Sequence, residues 1–174
     1  SHVATIWKNG LAIPLTGVMS YAKSVYVNGS DFYVAGREFD LAAYCASSWE
    51  NGKATKLAAR GSYAESVCFH ANNLYVAGST QNKATLWKNG AAVVLNFPAG
   101  AGKSEIHSVF ADSGNIYTAG YAAIENKSNV AVSWKNGAYT QLTDGETYAG
   151  AESIYVSGNN TYVAGYDTYS PGKE

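Results

Sequence analysis

Four stretches of the chain share one alternation of apolar and polar positions: SVYVNGSDFYVAG from Ser24, SVCFHANNLYVAG from Ser66, SVFADSGNIYTAG from Ser108 and SIYVSGNNTYVAG from Ser153. Each is a β-branched and aromatic run, interrupted by Gly, Asn, Asp or Ser and then resumed. That is the pattern of two short strands joined by a turn, and it rules out helical repeats of the same length. A second phrase recurs between these stretches: Trp7-Lys8-Asn9-Gly10, Trp49-Glu50-Asn51-Gly52, Trp87-Lys88-Asn89-Gly90 and Trp134-Lys135-Asn136-Gly137, which together hold every tryptophan of the protein. The closing glycines Gly36, Gly78, Gly120 and Gly165 lie 42, 42 and 45 residues apart, the spacing of four-stranded propeller blades.

Each repeat therefore reads as four strands. In the first, Ser24–Val27 and Phe32–Ala35 form an inner pair, and its outer pair flanks Asn51-Gly52. A two-residue type I′ turn needs positive φ at both central positions, which Asn followed by Gly meets best. The expected turns are thus Asn9-Gly10, Asn51-Gly52, Asn89-Gly90 and Asn136-Gly137, with each preceding tryptophan filling the wedge between adjacent sheets. The expected fold is an all-β propeller of four repeats: whole blades over 22–57, 64–95 and 106–142, and one blade split between the ends. Residues 3–15 supply its outer two strands and 151–166 its inner two. The halves can join within one chain as a four-bladed ring, or between two chains as a strand-exchanged homodimer with eight blades.

The Tyr-Val-Ala-Gly and Trp-Lys-Asn-Gly phrases resemble those of bacterial β-propeller repeat proteins, over nearly the whole of Ala4 to Tyr166. The resemblance implies an extracellular or cell-surface location; it carries over no catalytic residues. No basic and apolar leader precedes the first strand, and Ser1-His2 reads as a tag scar.

Composition narrows the function classes. The chain has 174 residues, 47% of them apolar, enough for one cored domain. A net charge of −1 without a Lys/Arg run argues against nucleic acid, and the lack of a long apolar stretch argues against membrane insertion. Cys45 and Cys68 match no metal or redox spacing, and Cys68 occupies a strand position held by Tyr26, Phe110 and Tyr155 elsewhere, so it is read as a small buried hydrophobe. No motif calls for a cofactor or a metal.

Connections across the Asn-Gly turns are constant in length, whereas those at the other end of the strands vary, so a ligand is expected on that variable face. One residue before each first-strand serine stand Lys23, Glu65, His107 and Glu152, one polar group per repeat near the mouth of a central channel. Tyr21, Tyr63 and Tyr148 lie beside them. Two glutamates and a histidine can serve a cation or acid–base chemistry, but a solvated rim is the simpler reading. His70 is in register with Asn28, Asp112 and Ser157 at the opposite turn, as a hairpin-end polar residue.

The expected function is a non-catalytic binding module for a glycan or peptide, with a structural or oligomerisation ring as one alternative. A glycan-active hydrolase is the other, using Asp40, or Asp144 with Glu146. No nucleophile elbow, His-Glu-x-x-His or phosphate-cradling loop supports an enzyme, and fold alone licenses no activity.

Overall fold

A computed structural model describes residues 2–168, so Ser1 of the expected scar lies outside the described residues. The described chain is all-β, with sixteen strands and no helix. Three four-stranded antiparallel sheets follow one another: β3 (Ser20–Asn28), β4 (Asp31–Asp40), β5 (Ala43–Glu50) and β6 (Lys53–Arg60); β7 (Ser62–His70), β8 (Asn73–Thr80), β9 (Lys83–Lys88) and β10 (Ala91–Val93); and β11 (Ala101–Asp112), β12 (Asn115–Ile124), β13 (Asn129–Lys135) and β14 (Ala138–Gln141). Two-stranded sheets flank them, β1 (Thr5–Lys8) with β2 (Leu11–Pro14) and β15 (Ala149–Ser157) with β16 (Asn160–Asp167). This is a propeller-like succession.

All four Asn-Gly phrases form the expected turns, with φ of 50–52° at Asn and 83–86° at Gly. The asparagine does more than tolerate positive φ. Asn51 Oδ1 accepts from the Phe32 amide at 3.0 Å while its Nδ2 donates to Asp31 at 2.8 Å, and Asn89 and Asn136 repeat both bonds on β8 and β12. These three turns are thereby tied to the second strand of their own sheets, a partner that the Asn9-Gly10 turn of the two-stranded β1–β2 sheet lacks. His70 closes the β7–β8 hairpin opposite Asn73, at the turn end where its register placed it.

Sheets stack face to face, the first strand of each lying against the first three of the sheet before it. Trp49, Trp87 and Trp134 fill these interfaces and are fully buried. The serine nine residues before each repeat tyrosine has a specific task there. Ser24, Ser66 and Ser108 each accept a hydrogen bond from a backbone amide of the next sheet, those of Val67 (3.3 Å), Val109 (3.1 Å) and Ile154 (3.2 Å). A second serine, four residues earlier, accepts from the third strand of the sheet before: Ser20 from Ala4, Ser62 from Ala46 and Ser104 from Ala84, at 2.8–3.0 Å. Both bonds satisfy backbone groups that the interface would otherwise strand away from water.

The variable connections are mostly strand rather than display loop. β4 runs on to Asp40 and turns at Leu41-Ala42 into β5, and β8 turns at Gln81-Asn82 into β9, so Tyr21 and Arg37 are ladder residues. Length differences are absorbed by longer hairpins, whose backbone groups pair with each other instead of with water. Cys45 and Cys68 are buried free thiols, and burial pushes the Cys68 thiol up to about 11.

Candidate functional site: polar bulge residues and the cleft beside them

The once-per-repeat polar residues owe their position to a β-bulge. Along the first strand the register slips between Ala22 and Ser24, Ala64 and Ser66, Ile106 and Ser108, and Ala151 and Ser153. The extra residues are Lys23, Glu65, His107 and Glu152. A bulge re-aims the side chain of the residue it adds. It also brings the preceding carbonyl down onto the second strand, which explains the invariable last letter of Tyr-Val-Ala-Gly. A Cβ on Gly36, Gly78, Gly120 or Gly165 would lie 1.9–2.1 Å from a first-strand carbonyl oxygen, that of Tyr21, Tyr63, Glu105 or Gly150.

Neighbouring bulge residues meet in pairs. Lys23 Nζ lies 3.4 Å from Glu65, and His107 Nδ1 lies 3.0 Å from Glu152. Glu65 also faces Arg37 at 3.9 Å, and His107 Nε2 faces Glu105 at 3.9 Å. The His107 pKa is raised above its ordinary 6.5, chiefly by the hydrogen bond to Glu105 and then by the charges of Glu152, Glu105 and Glu65, with burial opposing. The nearer oxygen is that of Glu152, but Nδ1 is not aligned for a hydrogen bond to it, so this carboxylate acts on the ring by charge.

Arg37 sits in an aromatic stack, its guanidinium carbon 5.1, 4.8 and 5.2 Å from the ring centres of Tyr21, Tyr44 and Tyr63. Cation–π contact and two-sided packing hold the long side chain in one place. Beside it opens a cleft of about 240 Å³ across the three four-stranded sheets, lined by Arg37, Tyr63, Glu65, Ser79, Asn82, Ser104, Glu105 and Tyr121. It lies at the end opposite the Asn-Gly turns.

Of the residues expected at the rim, Glu65 and Tyr63 line this cleft, and Tyr21 supports it through Arg37. Lys23, His107 and Glu152 join by ion pairing. Tyr148 is not among the residues lining the cleft: it stacks on Tyr166 with ring centres 5.8 Å apart, and the Tyr166 hydroxyl is pushed up to about 12, by burial first and then by its bond to Tyr148. His2 stacks on Tyr21 at 5.2 Å. Asp40 is held below the usual carboxylate range by its hydrogen bond and ion pair with Lys56, with Arg60 alongside. Asp144 caps the Glu146 amide at 2.9 Å. Among the described residues no group of three His, Cys, Asp or Glu is placed to hold a metal ion, and no helix is long and apolar enough to cross a membrane.

Sequence reading left five cleft residues unassigned: Ser79, Asn82, Ser104, Glu105 and Tyr121. Two registers carry the signal for most of them. The residue after each closing glycine is Arg37, Ser79, Tyr121 or Tyr166, and the residue three before each first-strand serine is Tyr21, Tyr63, Glu105 or Gly150. The two registers are cross-strand partners, Tyr21 with Arg37, Tyr63 with Ser79 and Glu105 with Tyr121, so their side chains share one face of each sheet, a pairing that spacing alone does not reveal. No protein-family model matches the chain, and no curated protein is significantly similar to it in sequence.

Proposed function

We propose that the protein is a non-catalytic binding scaffold: a β-propeller whose consecutive blades are the observed sheets, and which holds a hydroxyl-rich ligand, a glycan, in the cleft beside Arg37. The observation that carries this is the cleft's composition. Fixed donors (Arg37, Asn82), fixed acceptors (Glu65, Glu105) and two tyrosine rings surround one small opening. Sugar hydroxyls need donors and acceptors together, and sugar faces stack on aromatic rings. The carboxylates are committed to cations, Glu65 to Lys23 and Arg37 and Glu105 to His107. Oxygens held in place by such contacts suit recognition as fixed acceptors. A rigid site loses little conformational entropy on binding, so modest contacts suffice.

A glycan array identifies the ligand. Glu105→Gln and Asn82→Ala should then each weaken binding by about 10-fold or more, the cost of unpairing a hydrogen bond in a partly desolvated site. Glu50→Ala and Lys53→Ala, at the Asn-Gly end, should leave it unchanged. The reading fails if the Asn-Gly-end pair weakens binding and the cleft pair does not, or if chromogenic glycosides are turned over.

A further inference from the structure

The two flanking half-sheets are the parts of the molecule whose surfaces do not match their places in the repeat. Trp7 is 70% exposed, whereas its equivalents Trp49, Trp87 and Trp134 are 0–2% exposed. Tyr162 is 58% exposed against 4–8% for Tyr33, Tyr75 and Tyr117, and Val25 is 56% exposed against 4–7% for Val67, Val109 and Ile154. The same register is buried three times and open once.

β1 and β2 occupy the place of an outer half-blade against the β3–β6 sheet. The Ala4 amide donates to Ser20 as Ala46 does to Ser62, and Ala4 and Leu15 pack with Val34 and Trp49. The inner half of that blade is missing, and a cavity of about 670 Å³ stands in its stead between β1 and β3, lined by Ile6, Trp7, Val25, Val27, Phe32 and Val34 among others. At the other end of the succession β15 and β16 form, among the described residues, an inner half-blade with no outer half, and no ladder there joins β16 to β1.

We propose that the cavity between β1 and β3 receives β15–β16 of a second copy of this chain, and that two copies exchange these halves reciprocally to close an eight-bladed ring. The proposal rests on the propeller reading of the sheets and not on what the cleft binds. Its register is fixed by the intact sheets, where Tyr33 pairs Glu50, Val34 pairs Trp49 and Ala35 pairs Ser48. Tyr162 accordingly pairs the second copy's Lys8, Val163 its Trp7 and Ala164 its Ile6. The groups left open then find partners. The Thr161 amide meets the second copy's Asn9 Oδ1, as Phe32, Leu74 and Ile116 meet Asn51, Asn89 and Asn136. Ser153 receives the second copy's Val25 amide, as Ser108 receives Ile154.

Charge fits as well. Lys88 and Lys135 lie over Tyr75 and Tyr117, at 5.8 and 5.4 Å, and Lys8 would lie over Tyr162. Among the bulge residues Lys23 pairs Glu65 and His107 pairs Glu152, so the junction sets Glu152 beside the second copy's Lys23 and the alternation of sign continues. Each junction covers about six large apolar side chains at roughly 100 Å² apiece, and two junctions approach the ~1,600 Å² of a standard stable interface. Propellers have four to about eight blades, so four repeats per chain that do not meet each other close as two copies.

Light scattering of the whole protein across a dilution series should give twice the 18.4 kDa of one chain. A single-chain mass throughout, or a ladder of larger species that grows with concentration, would overturn the proposal. Lys8→Cys and Tyr162→Cys variants, co-refolded and oxidised, should yield a covalent dimer that neither gives alone. If the mixture fails to cross-link while both substitutions in one chain form an internal disulfide, the ring closes within a chain and the proposal is wrong. Ile6→Cys with Ala164→Cys, two steps along the register, repeats the test should the first pair disturb folding. The native thiols Cys45 and Cys68 are buried and do not compete.

Discussion

Replacing Gly78 by alanine tests the link between the bulge and the closing glycine. The added Cβ would stand 2.0 Å from the Tyr63 carbonyl oxygen and 2.9 Å from the Ala64 Cα, both backbone atoms. A carbon–oxygen contact is comfortable near 3.3 Å, so the carbonyl must retreat by more than about 1 Å. No side chain can give way in its place. The retreat strains the β7–β8 ladder beside the bulge, and overpacking of about 1–3 kcal/mol adds to roughly 1 kcal/mol for each hydrogen bond weakened. A total of about 3–4 kcal/mol is expected, equivalent to a Tm lower by roughly 6–15 °C for a domain of this size. Urea unfolding followed by tryptophan fluorescence measures it, at one fixed chain concentration because the proposed exchange between copies would shift the midpoint. Two other glycines calibrate the result. Gly52→Ala has space around its Cβ but φ of +84°, and should cost about 1 kcal/mol; Gly17→Ala has space and no positive φ, and should stay within about 0.5 kcal/mol of wild type. Equal midpoints for Gly78→Ala and Gly17→Ala would refute the close approach, and with it the explanation of the repeat glycine.

Gly90→Val places a β-branched residue at φ +84° and should destabilise by about 1–2 kcal/mol, read from the urea midpoint. Asn89→Ala removes the bonds to Leu74 and Asn73, with an expected loss of about 1–2 kcal/mol; an unchanged midpoint would mean that the turn does not anchor the second strand. Because the folded-state pKa of His107 is raised above 6.5, its ion pairs stabilise fully below pH 6.5 and this contribution is lost as pH rises through the folded value. An NMR titration of His107 should give a midpoint above 6.5, and His107→Gln should flatten that part of the pH–stability curve; a midpoint below 6.5 would contradict the carboxylate contacts. Cys68, buried with its thiol pushed up to about 11, should resist alkylation at pH 8 in the folded protein and react once urea unfolds it; prompt native labelling would refute its burial.

The sequence by itself determined what depends on local backbone chemistry and on repetition. Asn followed by Gly demands positive φ at both residues wherever it occurs, so all four turns and the strands around them were legible. The recurrence of tryptophan before each Asn-Gly turn placed all four tryptophans in equivalent wedge-filling positions, and Trp49, Trp87 and Trp134 are buried there. Register also singled out Lys23, Glu65, His107 and Glu152 as a set. What made them a set was not legible: the bulge that adds these residues exists only when two strands pair and one carries an extra residue, a property of the ladder rather than of either segment. The cleft was hidden for the same reason. Arg37, Ser79 and Glu105 come from three sheets, and only the stacking of those sheets aims them at one opening. The tertiary structure likewise decided where the expected variable loops go, since Tyr21 and Arg37 find ladder partners once the first two strands extend. It also decided which tryptophan stands apart: Trp7 sits in the same phrase as the other three but is exposed, because burial depends on the strand that lies across it and not on the residues beside it in the chain.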